Sequence, residues 1–254
     1  MNQSNEGKTD GKTFERVVNT VMGVKTEANN SPVKQVSASK ELDSQVLLSY
    51  ILGTLLQIGL IVLAAWGLEK LIATVDNYSA FPDWLGTLLA GMFFALLSIR
   101  SRIFSLLNNT RSSKTYDDVV RPKWAPPPLA FPIVWMTIGV LRVISALLVW
   151  QAANQQFLVL PLIAFIVHLA LGDTWNTIFT VERRLGAALP VVILGPWLSA
   201  IIVTVLYWQI SPKAGLILAP SCLWLTVAAV LVFSIWQLND KEPLYPLKLN
   251  SFER

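Results

Sequence analysis

Three ionisable side chains stand where a chain tolerates them least. Arg142, His168 and Asp173 each fall inside a long, mostly apolar run. A charge at the centre of a bilayer costs at least about 2.5–3.5 kcal/mol for Arg or Asp, so each is expected to face a bundle interior and to find a partner. Arg142 has two candidate partners, Asp173 or the carboxylate of a ligand. His168 offers a hydrogen bond or, as a minor alternative, a ligand for haem iron. A purely structural polar clamp would use the same three residues. Rings and small residues share their faces: spacings of 4, 3 and 4 put His168, Gly172, Trp175 and Phe179 on one helical stripe, and Trp135, Gly139, Arg142 and Ala146 form another. Large aromatics beside glycine leave a flat slot suited to a planar ligand. Close helix packing alone would also call for small residues there.

Catalytic chemistry finds little support. There is one histidine and one cysteine, so neither a triad nor a cysteine-based metal cluster can be assembled, and Cys222 has no partner for an intramolecular disulfide. Its apolar surroundings suit inert packing. Asp173 and Glu182 are too far apart in sequence to defend as an acid–base pair, and no glycine-rich phosphate loop occurs. The residues read as a binding protein, not an enzyme, with no catalytic residue and no metal site.

The elements that would position these residues are membrane spans. Of 254 residues 54% are hydrophobic and only 14% charged, against about a quarter charged in soluble domains. Such a chain cannot cover itself with polar surface. A net charge of +4 with basic residues between apolar runs excludes nucleic acid as a partner and supplies topology signals instead. Apolar segments run over 46–68, 83–107, 128–150, 157–181, 186–208 and 214–238, each close to the roughly 20 residues that cross the hydrocarbon core. The second is the weakest, with Arg100 and Arg102 placed to snorkel at its end. Pro128, Pro161 and Pro190 are read as first-turn prolines, and Pro196 after Gly195 as a kink in the fifth span. Trp66, Trp84, Trp150 and Trp208 near span ends are read as interfacial anchors. Six spans put seventeen of the twenty Lys and Arg on one side, which the positive-inside rule makes cytoplasmic or equivalent and which holds both termini.

Residues 1–45 form a polar, mostly disordered tail, in which Phe14, Val17, Val18, Val21 and Met22 have the spacing of a short amphipathic helix. An additional transmembrane helix occupies 46–75, a five-helix bundle 83–239, and a polar tail 240–254. Between the second and third spans lies RPKWAPPPLAFPIVW, Arg121 to Trp135. Its prolines stiffen the loop against helix. With Pro126 among the stiffening residues, Trp124 is left to fold over the bundle mouth, and Arg121 and Lys123 are placed to meet lipid phosphate or an incoming carboxylate. A loop anchored to headgroups with no ligand role would use the same residues.

From Trp84 onward the chain resembles the TspO/MBR family, the tryptophan-rich sensory proteins related to the mitochondrial translocator protein. The loop motif reads Arg121-Pro122-Lys123-Trp124-Ala125-Pro126-Pro127, followed by Phe131 to Val134-Trp135. His168 to Val181, HLALGDTWNTIFTV, aligns with the family's Gln-Leu-x-Leu-Asn-x-x-Trp-Ser-x-x-Phe-Phe-Gly. The last span carries Pro220, Trp224 and Ala228, then Ile235-Trp236-Gln237-Leu238-Asn239. The departures are specific: His168 stands for the family Gln, Gly172 for Asn, Ser221 for Tyr, Val232 for Asn, and Gly139 and Arg142 replace a Tyr–Met pair. No tyrosine precedes Asn239 in the manner of a sterol-recognition pattern.

The resemblance implies an all-α, multi-pass membrane helix bundle, a five-helix TspO-like unit plus one additional N-terminal transmembrane helix. It implies a cavity for a planar hydrophobic ligand, a tetrapyrrole such as porphyrin or haem or else a lipid, held for transport, sequestration or stress signalling. Porphyrin or haem would then be a ligand, not a resident cofactor. The candidate ligand-binding residues are Trp124, Pro126, Trp135, Gly139, Arg142, His168, Gly172, Asp173, Trp175, Asn176, Phe179 and Trp224. Porphyrin breakdown, proposed for family members, would draw on Trp135, Trp175 and Trp224. Partners are the bilayer, the small hydrophobic ligand and a second copy of the chain in a homodimer. Two other classes stay open: a small ion-coupled transporter with a relay through Arg142, His168 and Asp173, and a membrane assembly or scaffold factor docked by the extra span.

Overall fold

A computed structural model describes residues 41–76, 82, 84–108, 119–127, 129–239 and 241–248, without the side chains of 75, 76 and 100–108. The amphipathic stretch Phe14–Met22, Pro128 and the side chains of Arg100 and Arg102 lie outside this description. Among the described residues six helices carry the fold: α1 (Ser44–Asp76), α2 (Trp84–Asn108), α3 (Ala130–Ala152), α4 (Leu160–Val181), α5 (Leu185–Ile210) and α6 (Pro212–Leu238). All but α2 are long and apolar enough to cross a membrane, and α2 has a shorter apolar stretch, Trp84–Ile99. Among the described residues the only β feature is an isolated antiparallel bridge, Leu42 to Leu247.

The helices form a ring in the order α2, α3, α6, α5, α4, with α1 outside it in the groove of α4 and α2. Because side chains three, four and seven apart share a helix face, α1 needs only Thr54, Ile61, Ala65 and Ile72 to seal that groove, and these are its buried residues. Its other faces expose leucine to the bilayer, including Leu48, Leu52, Leu56 and Leu63. Polar groups fix the register. Thr54 Oγ1 lies 2.5 Å from Thr174 Oγ1, Gln57 Nε2 donates to Asp173 Oδ2 at 2.6 Å, and Tyr50 Oη donates to Glu182. Near the other end Glu69 Oε2 accepts the Phe157 N–H at 2.7 Å just before α4. Interhelical hydrogen bonds in a membrane contribute about 0.6–2 kcal/mol each, and four on one helix set its height and rotation.

Aromatic rings fill the half of the bundle near the α3–α4 turn. Phe94 and Trp150 pack on Phe157, which lies between α3 and α4, while Phe165 packs on Phe94 and Tyr207 lies against Phe165. Trp150 is fully buried in this cluster, not an interfacial anchor: the turn folds Phe157 back onto it, which span-end position alone does not reveal. Trp66, Trp84 and Trp208 are exposed, as an interfacial role requires.

Proline shapes α4 and α5 as far as its missing N–H allows. Pro161 sits in the first turn of α4. Pro190 is not in a first turn, since α5 begins at Leu185 and places it inside the helix. Pro196 falls in a π segment, Ile193–Trp197, where the helix widens by a residue and continues as Leu198–Ile210. A second π segment, Thr177–Val181, ends α4.

The tail after α6 is part of the fold. Glu242 Oε1 accepts the Gly186 N–H at 2.6 Å and so caps α5, and Trp236 Nε1 donates to the Glu242 carbonyl at 2.7 Å. Asp43 N–H donates to Pro246 O and Lys248 N–H to Glu41 O. Arg184 Nη1 donates to Leu247 O at 2.9 Å. The tail therefore ties the start of α1 to the α4–α5 turn. The Lys248–Glu41 pair is exposed at 3.8 Å and adds little.

Candidate functional site

Helix α3 packs chiefly on α2 and α6, and α4 on α5 and α1, so α3 and α4 touch only sparsely across the centre of the ring. A polar contact bridges them. Arg142 Nη2 lies 2.9 Å from His168 Nε2. The other ring nitrogen, Nδ1, is 2.8 Å from Ser199 Oγ on α5, and Ser199 in turn donates to the Gly195 carbonyl at 2.6 Å. Three helices thus meet at His168, which is buried. Both ring nitrogens are engaged, so iron ligation by His168 would require breaking one of these bonds. The Arg142 guanidinium also lies over the Trp135 ring, 5.9 Å from its centroid, a cation–π arrangement that strengthens when water is excluded.

Beside this bridge the two predicted glycines leave room. A Cβ placed on Gly139 or on Gly172 meets nothing within 4 Å. Toward the basic end of the bundle, where Arg183 and Arg184 lie, the space gives way to rings. Trp175 stacks on Phe179 at 5.5 Å with planes 11° apart, and Trp135 packs against the same clusters, alongside Val232 and Trp236. Trp224 meets Phe131 edge-on at 5.6 Å in the adjoining cluster. The buried indole N–H groups of Trp175 and Trp224 find no hydrogen-bond acceptor within the protein.

Asp173 goes elsewhere. Five residues along α4 from His168, it is rotated about 140° around the helix and receives Gln57 from α1. Arg142 and His168 face the ring interior, whereas Asp173 faces the additional helix. Asn176 is half-buried and its Oδ1 accepts from Thr180 Oγ1 at 3.0 Å. Pro126 is half-buried, and Trp124 is 51% exposed. Their neighbour Ala125 packs into the cluster of Phe131 and Trp224.

Three residues of this arrangement were not among the predicted site residues. Gln57 carried a signal, a polar amide in an apolar span. Ser199 carried none by itself, because a serine one turn after Pro196 satisfies the helix's own carbonyls equally well. Asn239 ends α6 and clamps the proline-rich segment: its Oδ1 accepts the Val120 N–H at 3.0 Å and its Nδ2 donates to Val120 O at 2.9 Å. Losing two such bonds costs about 2 kcal/mol. N239A is therefore expected to speed tryptic cleavage after the exposed Lys123 by about tenfold or more, with a cleavage rate equal to wild type showing that the clamp does not hold the segment.

The profile of the TspO/MBR family matches residues 90–237, more than half of the chain and all of α3 to α6 short of its last residue. The chain belongs to the TspO/MBR family. It is similar to Protein CrtK of Rhodobacter capsulatus, 38% identical over half of this chain and 79% of that protein. It is similar also to the tryptophan-rich sensory protein of Cereibacter sphaeroides, 29% identical over 50% of this chain and 78% of that one. Human translocator protein is 31% identical over 49% of this chain and 74% of its own length. The TspO/MBR match begins within α2, so α1, which packs along α4 and bonds Asp173, precedes the shared region. A TspO/MBR fold and five long apolar helices make this an integral, multi-pass membrane protein.

Proposed function

We propose that the chain binds a planar hydrophobic ligand, a tetrapyrrole such as porphyrin or haem, between α3 and α4, for transport, sequestration or stress signalling. One observation carries this reading: α3 and α4 hardly touch, and each has, about one turn from the Arg142–His168 bridge, a glycine whose missing side chain would meet nothing, with Trp135, Trp175 and Phe179 clustered a turn further along. A flat aromatic guest fills such a space and gains contact on both faces. The ring is cargo, held by Trp135, Trp175 and Phe179 with Arg142 and His168 above, and a metal at its centre is not needed for that contact. Relatives named as sensory and translocator proteins support binding over catalysis. An ion-coupled relay through Arg142, His168 and Asp173 is less well served, since Asp173 faces α1.

The test is tryptophan-fluorescence quenching of the full chain in lipid nanodiscs by protoporphyrin IX, haem and cholesterol. Saturable quenching by the tetrapyrroles is expected, together with its loss in Gly172→Leu, whose Cβ meets nothing within 4 Å and so leads the larger side chain into that space. Quenching that Gly172→Leu leaves at wild-type strength, in a variant of unchanged melting temperature, would overturn the placement. Saturation by cholesterol alone would overturn the ligand class.

A further inference from the structure

We infer that the ligand is a carboxylic acid recognised by Arg142, and that Ser199 is the positioning residue that aims Arg142 at it. This rests on the ligand reading above and narrows it. A serine hydroxyl has one proton and two lone pairs. Ser199 commits that proton to the Gly195 carbonyl at 2.6 Å, the shorter of its two acceptor contacts, the other being Pro196 O at 3.4 Å. Toward His168 Nδ1 at 2.8 Å its oxygen is left to accept. The imidazole proton therefore sits on Nδ1, and Nε2 presents a bare lone pair, the only form that can accept from Arg142 Nη2 at 2.9 Å.

The bonds run one way, from Arg142 to His168 to Ser199 to Gly195. The last acceptor belongs to the π segment around Pro196, so the kink of α5 fixes the far end of the chain. At the near end the guanidinium is held edgewise by His168 and facewise by Trp135. A guanidinium has five N–H donors in a rigid fork and matches a carboxylate in two-point geometry. In this tautomer His168 brings no charge of its own to the contact. Beside Arg142 lies the room left by Gly139, one helical turn away on α3, with the rings of Trp135, Trp175 and Phe179 beyond it. A planar acid lying on those rings places its carboxylate at Arg142, and an ester of the same ring does not profit.

The experiment compares protoporphyrin IX with its dimethyl ester on the full chain in nanodiscs, for wild type, R142Q, S199A and S199T. Wild type is expected to favour the acid by about tenfold or more, the worth of one charge-assisted hydrogen bond. R142Q keeps an N–H for His168 but loses the charge, and is expected to bring the acid/ester ratio close to one. S199A is expected to narrow that ratio by at least about threefold and S199T, which keeps the hydroxyl, to restore it. A wild-type ratio near one overturns the inference without recourse to any variant, while leaving ring binding in place. A ratio in S199A equal to wild type overturns the positioning role of Ser199. If neither acid nor ester binds, the tetrapyrrole reading fails and this inference falls with it.

Discussion

H168A is expected to lower the stability of the folded bundle by about 3 kcal/mol, read as an earlier midpoint in equilibrium unfolding by SDS in mixed micelles. The figure combines a cavity the size of the ring, about 2 kcal/mol or more, with the loss of an acceptor for a charged donor, about 1.5–3 kcal/mol, offset where nearby polar groups take over part of the hydrogen bonding. His168 is where α3, α4 and α5 meet, so deleting it unlinks Arg142 and Ser199 at once. H168Q separates the polar part from the packing part. Its amide has a carbonyl to accept from Arg142 and an N–H to donate to Ser199, the same one acceptor and one donor that the neutral ring presents. A loss of only about 1 kcal/mol is expected for it, which agrees with glutamine being the TspO/MBR residue at this point of the motif. Equal losses for alanine and glutamine would show that ring volume alone matters and that the polar chain contributes nothing measurable.

Gly215→Val is expected to be as damaging, about 3 kcal/mol, for a steric reason. Ser211 alone joins α5 to α6, and the two helices close so tightly that a Cβ on Gly215 would lie 2.7 Å from Trp208 Cβ and 2.8 Å from Trp208 Cα and N. Two of those three atoms are main chain. Trimming Trp208 to alanine therefore cannot make room, and the double variant W208A/G215V is expected to remain as unstable as G215V. Gly186 offers the control. Its Cβ would approach Pro243 O at 2.2 Å, closer still, but that obstacle sits on the tail after α6, which is held by a few polar contacts. Gly186→Val is expected to displace the tail and cost about 1 kcal/mol, the worth of a lost helix cap. The same SDS midpoints decide it: a larger loss for Gly186 than for Gly215 would mean that the tail, and not the α5–α6 hairpin, is the rigid element.

Much of this protein is written in residue type and spacing. Long apolar runs cannot be solvated, so membrane helices follow from the chain alone, although one of the six apolar runs forms only a short apolar stretch, Trp84–Ile99. The motifs around Trp124, Trp175 and Trp236 carry the TspO/MBR family, which the profile match bears out. Periodicity also put Trp135 with Arg142 and His168 with Trp175, because 3.6 residues per turn is a property of one helix. Rotation between helices is not. That Asp173 turns to Gln57 while His168 turns to Arg142 and Ser199 depends on where α1 and α5 stand around α4, and nothing local to α4 encodes it. Trp150 shows the same limit: its place near a span end suits an interface, and only the return of Phe157 across the turn buries it. Sequence by itself determined which residues each helix presents on a common face. Tertiary structure decided which neighbour that face meets, because contacts between helices arise from packing and polar satisfaction across the whole bundle.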